Sequence, residues 1–239
     1  MSLQDTENSR HPDEVAPLAG VQARGDGVRQ LPEQSTIWKN SKRKCFQAKE
    51  VIYRESEAVD RICIIRSGLV KLLSYLPNGR ARIVRLHTTG QWLGIEGLVG
   101  EHFEHTAIAI DDVVIQHVPI HSLQHHLANE PERLLQLLRQ WHIDLAQADR
   151  WIADFSTGGI KPRVARLLEY LAELEYDSPT DMVELLTVCE MSEILGVTPE
   201  SVSRIVATFK RRDILQKQSD SLREVYRVDT SRLQQEAIK

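Results

Sequence analysis

The sequence predicts an α+β protein that contains an antiparallel β-roll, one long helix and a winged helix-turn-helix domain, in that order. Short apolar runs separated by turn residues begin at Val51, and a long amphipathic stretch begins at Pro131. Two short capped helices joined by a glycine turn begin near Thr187. The 239 residues, of which 41% are hydrophobic, suffice for two modest domains that each bury a core.

Charge and cysteine content narrow the class of protein. The net charge is -4, so any binding of nucleic acid has to come from a local basic surface. Cys45, Cys63 and Cys189 lie far apart, which gives no zinc motif and argues against a disulfide framework. No apolar run approaches the roughly 20 residues of a membrane span, and the polar N-terminus does not look like a signal peptide. We therefore expect a cytoplasmic protein without membrane contact.

The N-terminal segment, residues 1–38, is polar and is predicted to form a mobile tail, because it has little apolar surface to bury. The basic run from Lys39 to Lys44 is interpreted as a solvated charge cluster, with contact to an acidic partner as the alternative. Residues 39–130 are assigned to the β-roll, residues 131–156 to a dimerisation helix and residues 157–239 to the C-terminal domain.

Apolar runs predict the strands of the β-roll. Pro77-Asn78-Gly79 predicts a hairpin tip between two of them, because proline fixes φ and Asn-Gly tolerates positive φ. Ile120 to Asn129 predicts a short helix that leads into the long one. The runs are VIYRE, RICIIRSG, LVKLLSYL, ARIVRLH, TAIAI and VVIQHV.

The long helix is predicted to pair with a second copy of itself. Apolar residues from Pro131 to Phe155 alternate at spacings of four and three, the a/d pattern of a parallel helix pair, and Ser156 to Gly159 ends the pattern. A second apolar flank at Leu135, Leu137 and Ile143 leaves open the alternative that the helix packs on its own domain. The predicted dimer seam comprises Leu134, Leu138, Trp141, Leu145, Ala148, Ile152 and Phe155.

The C-terminal domain has the local signals of a helix-turn-helix. Thr187 with Glu190 three residues later predicts a capping box that opens one helix, and Gly196 ends that helix. Thr198 and Pro199 open the next helix as N-cap and first helical residue. The strand candidates VELL, ILQKQ and REVYRV flank this pair, and the last two predict a wing.

The second short helix is predicted to read DNA bases. Its apolar stripe of Val202, Ile205, Val206 and Phe209 faces the core. On the opposite face Arg204 can bond to guanine, Glu200 can accept from the cytosine amine, and Ser203 lies near both. The alternative is a surface helix with a Glu200–Arg204 ion pair. The predicted contacts to the DNA backbone are Thr187, Thr198, Ser201, Lys210, Arg211 and Arg212.

Over about residues 45 to 230 these motifs resemble the Crp/Fnr superfamily of bacterial transcription regulators. The roll segments resemble its cyclic-nucleotide-binding-like sensor, GQWLGIEGLVG its pocket turn, and LTVCEMSEILGVTPESVSRIVATFKRRDIL its DNA-reading domain. The motif Glu200-Ser201-Val202-Ser203-Arg204 looks like the E-x-x-S-R pattern of the Fnr branch, whose half-site is of TTGAT type. The resemblance implies a homodimer on a palindromic operator and RNA polymerase as a partner, with Glu200, Ser203 and Arg204 contacting bases.

Departures from the family bear on the effector. Family members that bind cyclic AMP carry Gly-Glu in the pocket turn and Arg-Ser shortly after it. Here the turn contains Gly94, Ile95 and Glu96, and His105-Thr106 takes the place of Arg-Ser. Without that arginine the cyclic phosphate lacks a bidentate partner, so we predict no tight binding of cyclic AMP. The iron-sulfur members need N-terminal cysteines, and residues 1–44 contain none. We therefore expect no iron-sulfur cluster, and the predicted pocket (Gly94, Ile95, Glu96, His105 and Thr106) has an unknown effector.

Two features leave further options open. Histidines in or beside the sensor offer a possible haem ligand, with ordinary surface histidines as the alternative. Cys189 lies in the first turn of a helix beside the predicted DNA surface, so redox control and a plain helix-cap cysteine both explain it. Nothing in the sequence assembles a catalytic constellation or a metal site. We therefore predict a homodimeric transcription regulator, an activator rather than a repressor, and not an enzyme. The alternative is a small-molecule or haem sensor that retains the fold without DNA function.

Overall fold

The computed structural model describes residues 41–129, 131–175, 181–218 and 224–238. The predicted tail at 1–38 and Lys39 lie outside the described residues. So do residues 177–180, where the sequence predicts a loop, and residues 219–221, between the two predicted wing strands.

Two four-stranded antiparallel sheets form the N-terminal β-roll. The first sheet has the order β1 (Lys42–Phe46), β8 (Val113–Pro119), β3 (Arg61–Ser67) and β6 (Trp92–Leu93). The second has the order β2 (Val51–Tyr53), β7 (Thr106–Ala109), β4 (Val70–Tyr75) and β5 (Ala81–His87). Their facing sides share a buried core that includes Phe46, Ile65 and Ile115 from the first sheet and Tyr53 and Leu72 from the second. The six apolar runs predicted as strands all contain one.

The hairpin between β4 and β5 has the predicted tip. Gly79 has φ of +76°, and the Arg80 N–H donates to Asn78 Oδ1 at 3.0 Å. Asparagine thus closes the turn with its own side chain while glycine supplies the left-handed backbone.

Strand β1 differs from the expectation for the basic run. Lys42, Arg43 and Lys44 are exposed, as a solvated cluster requires, but they also form an edge strand in which Lys42 pairs with His117 of β8. Charged side chains on an edge strand are typical, because they discourage pairing with other chains. The charges therefore hid a strand from sequence reasoning.

Two helices follow the roll at nearly the predicted bounds. α1 spans Ile120–Asn129 and α2 spans Pro131–Ser156, and Gly158 with φ of +81° follows the end of α2. Both helices cover the outer face of the first sheet, where a separate core includes Ile62, Ile64 and Val118 from the strands and Leu123 and Leu137 from the helices.

The C-terminal domain is a winged helix-turn-helix. Its elements are α3 (Ile160–Glu175), β9 (Met182–Glu184), α4 (Val188–Leu195), α5 (Pro199–Arg211), β10 (Leu215–Lys217), β11 (Val225–Val228) and α6 (Thr230–Ile238), and its sheet has the order β10-β11-β9. The sequence patterns did not predict α6, which packs on α3 through buried Leu233.

The C-terminal domain shares its core with the roll. Leu73, Ile83 and Leu86 on the outer face of the second sheet belong to the same buried cluster as Met191 and Phe209 of the reading domain. The roll is therefore covered by α1 and α2 on one side and by the C-terminal domain on the other.

Candidate DNA-reading surface and effector pocket

Local capping positions the two helices of the reading domain. The Thr187 hydroxyl accepts from the Glu190 backbone N–H at 3.2 Å, and the Thr187 N–H donates to the Glu190 carboxylate at 3.1 Å, so the predicted capping box is present. Gly196 ends α4 in the left-handed conformation, and Thr198 caps α5 with Pro199 at its first position. These signals act within four residues, so the turn geometry follows from local sequence.

The face of α5 opposite its core presents the three predicted base-reading residues. Val202 and Phe209 are buried, whereas Glu200, Ser203 and Arg204 are exposed. The pKa of Glu200 is lowered because its own backbone N–H and the Thr198 hydroxyl hydrogen-bond to the carboxylate. The helix therefore displays an anionic acceptor, a hydroxyl and a guanidinium on one side, the groups that recognise base edges in a major groove.

The residues predicted to contact the DNA backbone divide into two groups. Thr187, Thr198 and Ser201 lie at the N-termini of α4 and α5, where unpaired backbone amides favour phosphate. The basic residues at the end of α5 are more constrained. Lys210 Nζ donates to the Tyr226 hydroxyl at 2.7 Å and lies over its ring, so it ties α5 to the wing.

Arg212, the C-cap residue of α5, is also bound within the domain. Arg212 pairs with the buried carboxylate of Glu236 in α6 at 2.7 Å, and Lys161 of α3 contacts the same carboxylate. Glu236 thus joins three helices, and sequence reasoning missed it because α6 was not predicted. Arg211 is exposed and donates to Thr208 one turn earlier, which leaves its guanidinium at the surface.

The predicted pocket turn in the roll is a tight loop followed by a short 3-10 helix at Ile95–Leu98. Gly94 has φ of +79°, and a Cβ at that position would lie 2.8 Å from Phe103, whose ring stacks on Tyr53 at 3.8 Å. Ile95 is buried in the core under α1 and α2. The turn is therefore packed from both sides by apolar groups.

The two residues in the place of Arg-Ser lack the positive charge of that arginine. The Thr106 hydroxyl is buried and accepts from the Glu55 backbone N–H at 3.0 Å. Burial and the charge of Arg85 lower the pKa of His105, so its imidazole is neutral at physiological pH. Neither side chain therefore carries a positive charge to pair with a phosphate.

A histidine that sequence reasoning did not single out lies close to this pocket. His87 at the end of β5 is buried, and neither ring nitrogen has a hydrogen-bond partner among the described residues. Burial, with Arg85 and His105 nearby, lowers the pKa of His87 to about 3. Its position after Leu86 at the end of an apolar run was the one hint that it is buried.

Helix α2 exposes most of the predicted seam. Leu134, Leu138, Leu145 and Ile152 are between 46% and 63% exposed, and Trp141 and Ala148 are half-buried.

Phe155 is the exception to the predicted seam. It is 2% exposed and packs edge-on against Trp151 and Tyr170, so the prediction that it belongs to the seam is wrong. The core of the reading domain takes up the last turn of α2, and the exposed stripe ends at Ile152. The second flank is also mixed, because Leu137 packs on the roll whereas Leu135 is exposed.

The remaining sequence candidates occupy separate places. Cys189 is exposed in the first turn of α4, Cys45 is exposed on β1, and Cys63 is buried in the roll. Within the described ranges no group of three or more His, Cys, Asp or Glu residues is arranged to hold a metal ion. In the same part of the chain no helix is long and apolar enough to cross a membrane.

A sensor roll joined through a long helix to a winged helix-turn-helix defines the class of DNA-binding transcription regulators that carry their own sensor. Comparison with known proteins agrees: residues 43–130 match the cyclic nucleotide-binding domain, and residues 163–236 match the Crp-like helix-turn-helix domain. The chain belongs to the Crp/Fnr family of transcription regulators.

Three similar proteins align with most of this chain. The transcriptional regulator LdrP of Thermus thermophilus is 28% identical over 196 residues, which cover 81% of this chain and 96% of that protein. The crystal structure of TTHA1359, a CRP/FNR family regulator from Thermus thermophilus, is 25% identical with a TM-score of 0.66 and covers 83% of this chain and 99% of that one. The transcriptional activator protein Anr of Pseudomonas protegens is 21% identical over 169 residues, 70% of this chain and 69% of that protein.

Proposed function

We propose that this regulator reads a palindromic operator of Fnr type through Glu200, Ser203 and Arg204. The observation that carries the proposal is that one side of α5 exposes all three while Val202, Val206 and Phe209 bury the other side. The E-x-x-S-R spacing places the carboxylate, the hydroxyl and the guanidinium on the first turns of the helix, the part that enters a major groove.

Operator binding tests the reading residues. We expect Arg204→Ala to weaken specific binding by about 1 to 3 kcal/mol, because one bidentate contact to guanine is lost. Arg232→Ala is the control, since it removes an exposed guanidinium from α6 in the same domain. Fluorescence anisotropy with a TTGAT-type duplex and a scrambled duplex measures both. Equal losses on the two duplexes would show a backbone contact rather than base reading.

We propose that α2 pairs with the α2 of a second copy. The 26-residue helix exposes Leu134, Leu138, Leu145 and Ile152, and half-buried Trp141 and Ala148 complete the alternating four- and three-residue spacing between them. Large apolar side chains that are half exposed along one stripe are typical of a helix seam. Such a pair places two reading helices on one side of the DNA, which matches a palindromic site.

A charge in the seam tests the dimer. Leu145→Glu should convert the protein to a monomer and abolish cooperative binding to the operator, because two buried carboxylates would face each other at the seam. Ala146→Glu is the matched control, because it adds the same charge one residue along, at an exposed position about 100° around the helix from Leu145. Analytical ultracentrifugation measures the oligomeric state of both variants, and a dimeric Leu145→Glu would refute the seam.

We propose that cyclic AMP is not the effector. Its support is that neither His105 nor Thr106 carries a positive charge and that Ile95 of the predicted pocket is buried under α1 and α2. Isothermal calorimetry with cyclic AMP should show no binding in the micromolar range, and a micromolar dissociation constant would contradict the proposal. The three cysteines, on β1, β3 and α4, likewise favour a signal other than an iron-sulfur cluster.

We also propose that the protein activates transcription by contact with RNA polymerase. The name of the relative Anr supports activation over repression. In vitro transcription with purified polymerase, from a promoter with the operator upstream, should rise when the regulator is added. A fall in transcript would indicate repression.

A further inference from the structure

The reading domain touches the sensor sheet through one side of α4, beside the contacts that α2 makes with α4 and β5. The outer face of β4 and β5 buries Leu73 and Ile83 in the same core as Met191 and Leu195 of α4. An apolar patch alone would allow α4 to slide or turn on the sheet, so the polar groups at its edges determine how it sits.

Two cations of the roll meet the two ends of α4. Lys71 Nζ donates to Glu190 Oε1 at 2.9 Å, and both side chains are only 14% exposed. At the opposite end the guanidinium of Arg82 covers Gly196, so closely that a Cβ there would lie 2.7 Å from Arg82 Cζ. The two cations therefore contact the helix at its first turn and at its C-cap.

The spacing of the cations matches the length of the helix. Arg82 pairs with Ser74 across the β4–β5 ladder, so the two cations are about three residues apart along the sheet, roughly 10 Å. The six residues from Glu190 to Gly196 rise roughly 9 Å in an α-helix. α4 therefore packs on this sheet mainly against β5, with a cation at each end.

The charges are complementary at both ends. Burial disfavours the ionised form of Glu190, but hydrogen bonds from Lys71 and Thr187 outweigh it and lower the pKa of its carboxyl. At the other end the Arg82 guanidinium lies beside Gly196, near the negative end of the α4 dipole, and Arg163 of α3 donates to the Leu195 carbonyl there. Breaking the Lys71–Glu190 pair would leave a mostly buried charge without a partner.

We propose that Lys71 and Arg82 form a clamp that holds the reading domain on the sensor sheet in an orientation ready for DNA. The proposal rests on the proposed DNA function. In the clamped arrangement Glu200, Ser203 and Arg204 are exposed, so the clamp leaves the reading face free. A reading domain released from the sheet would be held by α2 alone. Binding to DNA would then be weaker, because part of the binding free energy would be spent on ordering the domain again. A change in the β4–β5 hairpin would then reach the DNA surface directly.

The test uses variants that keep the α4 cap. Lys71→Met removes the cation and retains the aliphatic packing, and Glu190→Gln removes the charge while glutamine still serves in a capping box. Each should weaken operator binding about tenfold, within the range of typical couplings between sites, and the double variant should be no weaker than the weaker single variant. Lys42→Met, on exposed β1, is the control and should bind like the wild type.

A second readout needs no DNA. Small-angle X-ray scattering should show a larger radius of gyration for Lys71→Met than for the wild type and for Lys42→Met, because the released domain moves away from the sheet. Unchanged scattering, or operator binding equal to or tighter than wild type in a dimeric Lys71→Met, would overturn the clamp. A wild-type protein that binds no operator would refute the DNA function, and the scattering result would still decide the clamp.

Discussion

The reading surface and the effector pocket are built in opposite ways. The residues of the reading surface lie within one helix, are exposed, and are oriented by caps a few residues away. The predicted pocket contains Gly94 from the loop after β6 and Thr106 from β7, and His87 of β5 lies close by. These groups are buried or already hydrogen-bonded to their own chain. The difference teaches that the predicted reading groups owe their exposure to local helix signals, whereas the predicted pocket depends on how the strands pack.

The same difference determines which region can vary. Substitutions on an exposed helix face cost little free energy of folding. The side chains on that face can therefore change to suit a different operator sequence. Substitutions among the buried groups of the pocket change stability, because they alter close packing and the hydrogen bond that the Thr106 hydroxyl accepts. Variants of the two regions should therefore differ in what they alter, operator binding in one and stability in the other.

Core and surface positions of the same helix should separate folding from reading. Phe209 is fully buried, so Phe209→Ala should lower the free energy of unfolding by about 3 to 5 kcal/mol. Ser203→Ala, on the exposed face of α5, should change it by less than about 0.5 kcal/mol while altering operator binding. Urea unfolding measures both, and a large stability loss in Ser203→Ala would contradict the division.

Two glycines with similar backbones should differ because of their surroundings. Gly94→Ala should destabilise by about 2 to 4 kcal/mol, because it adds a clash with Phe103 to the penalty of positive φ. A Cβ at Gly79 would have no described atom within 4 Å apart from its chain neighbours, so Gly79→Ala should cost about 1 to 2 kcal/mol from its φ alone. Thermal unfolding compares them, and equal losses would mean that the pocket turn has room to relax.

The buried histidine should make the pocket sensitive to acid. The pKa of His87 falls from an ordinary value of 6.5 in the unfolded chain to about 3 in the fold. Below pH 6.5 the unfolded state therefore binds a proton that the folded state does not. The free energy of unfolding then decreases by about 1.4 kcal/mol for each unit by which the pH is lowered. At pH 5 the loss reaches about 2 kcal/mol, and it continues until about pH 3.

Replacement of the ring tests this assignment. His87→Leu should remove that part of the pH dependence in urea unfolding between pH 7 and pH 5. His102→Leu, at an exposed position, is the control and should keep the wild-type slope. An unchanged slope in His87→Leu would show that other groups cause the acid sensitivity.

The smallest effect concerns the caps of the reading domain. Thr187→Ala should cost about 1 kcal/mol, because the Glu190 backbone N–H loses the hydroxyl that accepts from it. Thr198 accepts from Ser201 at a longer 3.4 Å, so Thr198→Ala should cost less. Guanidinium unfolding of the two variants checks the order, and the reverse order would show that α5 depends more on its cap than α4 does.

Much of the reading domain was predictable because its signals are local. The capping box at Thr187, the left-handed Gly196 and Pro199 at the start of α5 predict the two helices within a residue of their observed bounds. The apolar stripe of α5 then decides which side faces outward, since helical periodicity leaves no freedom once the core side is known. The hairpin tip at Asn78 and Gly79 was predictable for the same reason.

Other features depended on elements that sequence patterns leave unconnected. Strand β1 was hidden because an edge strand can carry mostly charged residues, and α6 was missed because its few apolar positions become meaningful only against α3. Phe155 keeps the spacing of the seam, yet the core of the reading domain encloses it. Periodicity gives the face of a helix but not the partner of that face.

By itself, the sequence determined the order of the domains, the bounds of the long helix and the residues on the exposed face of α5. These follow from interactions among residues within a few positions of each other, for which chain geometry leaves few alternatives. Tertiary structure alone decided that α4 lies on β4 and β5, that Lys71 meets Glu190, and that His87 is buried with no hydrogen-bond partner among the described residues. Those contacts join residues up to 119 positions apart, and only the packing of whole sheets and helices brings them together.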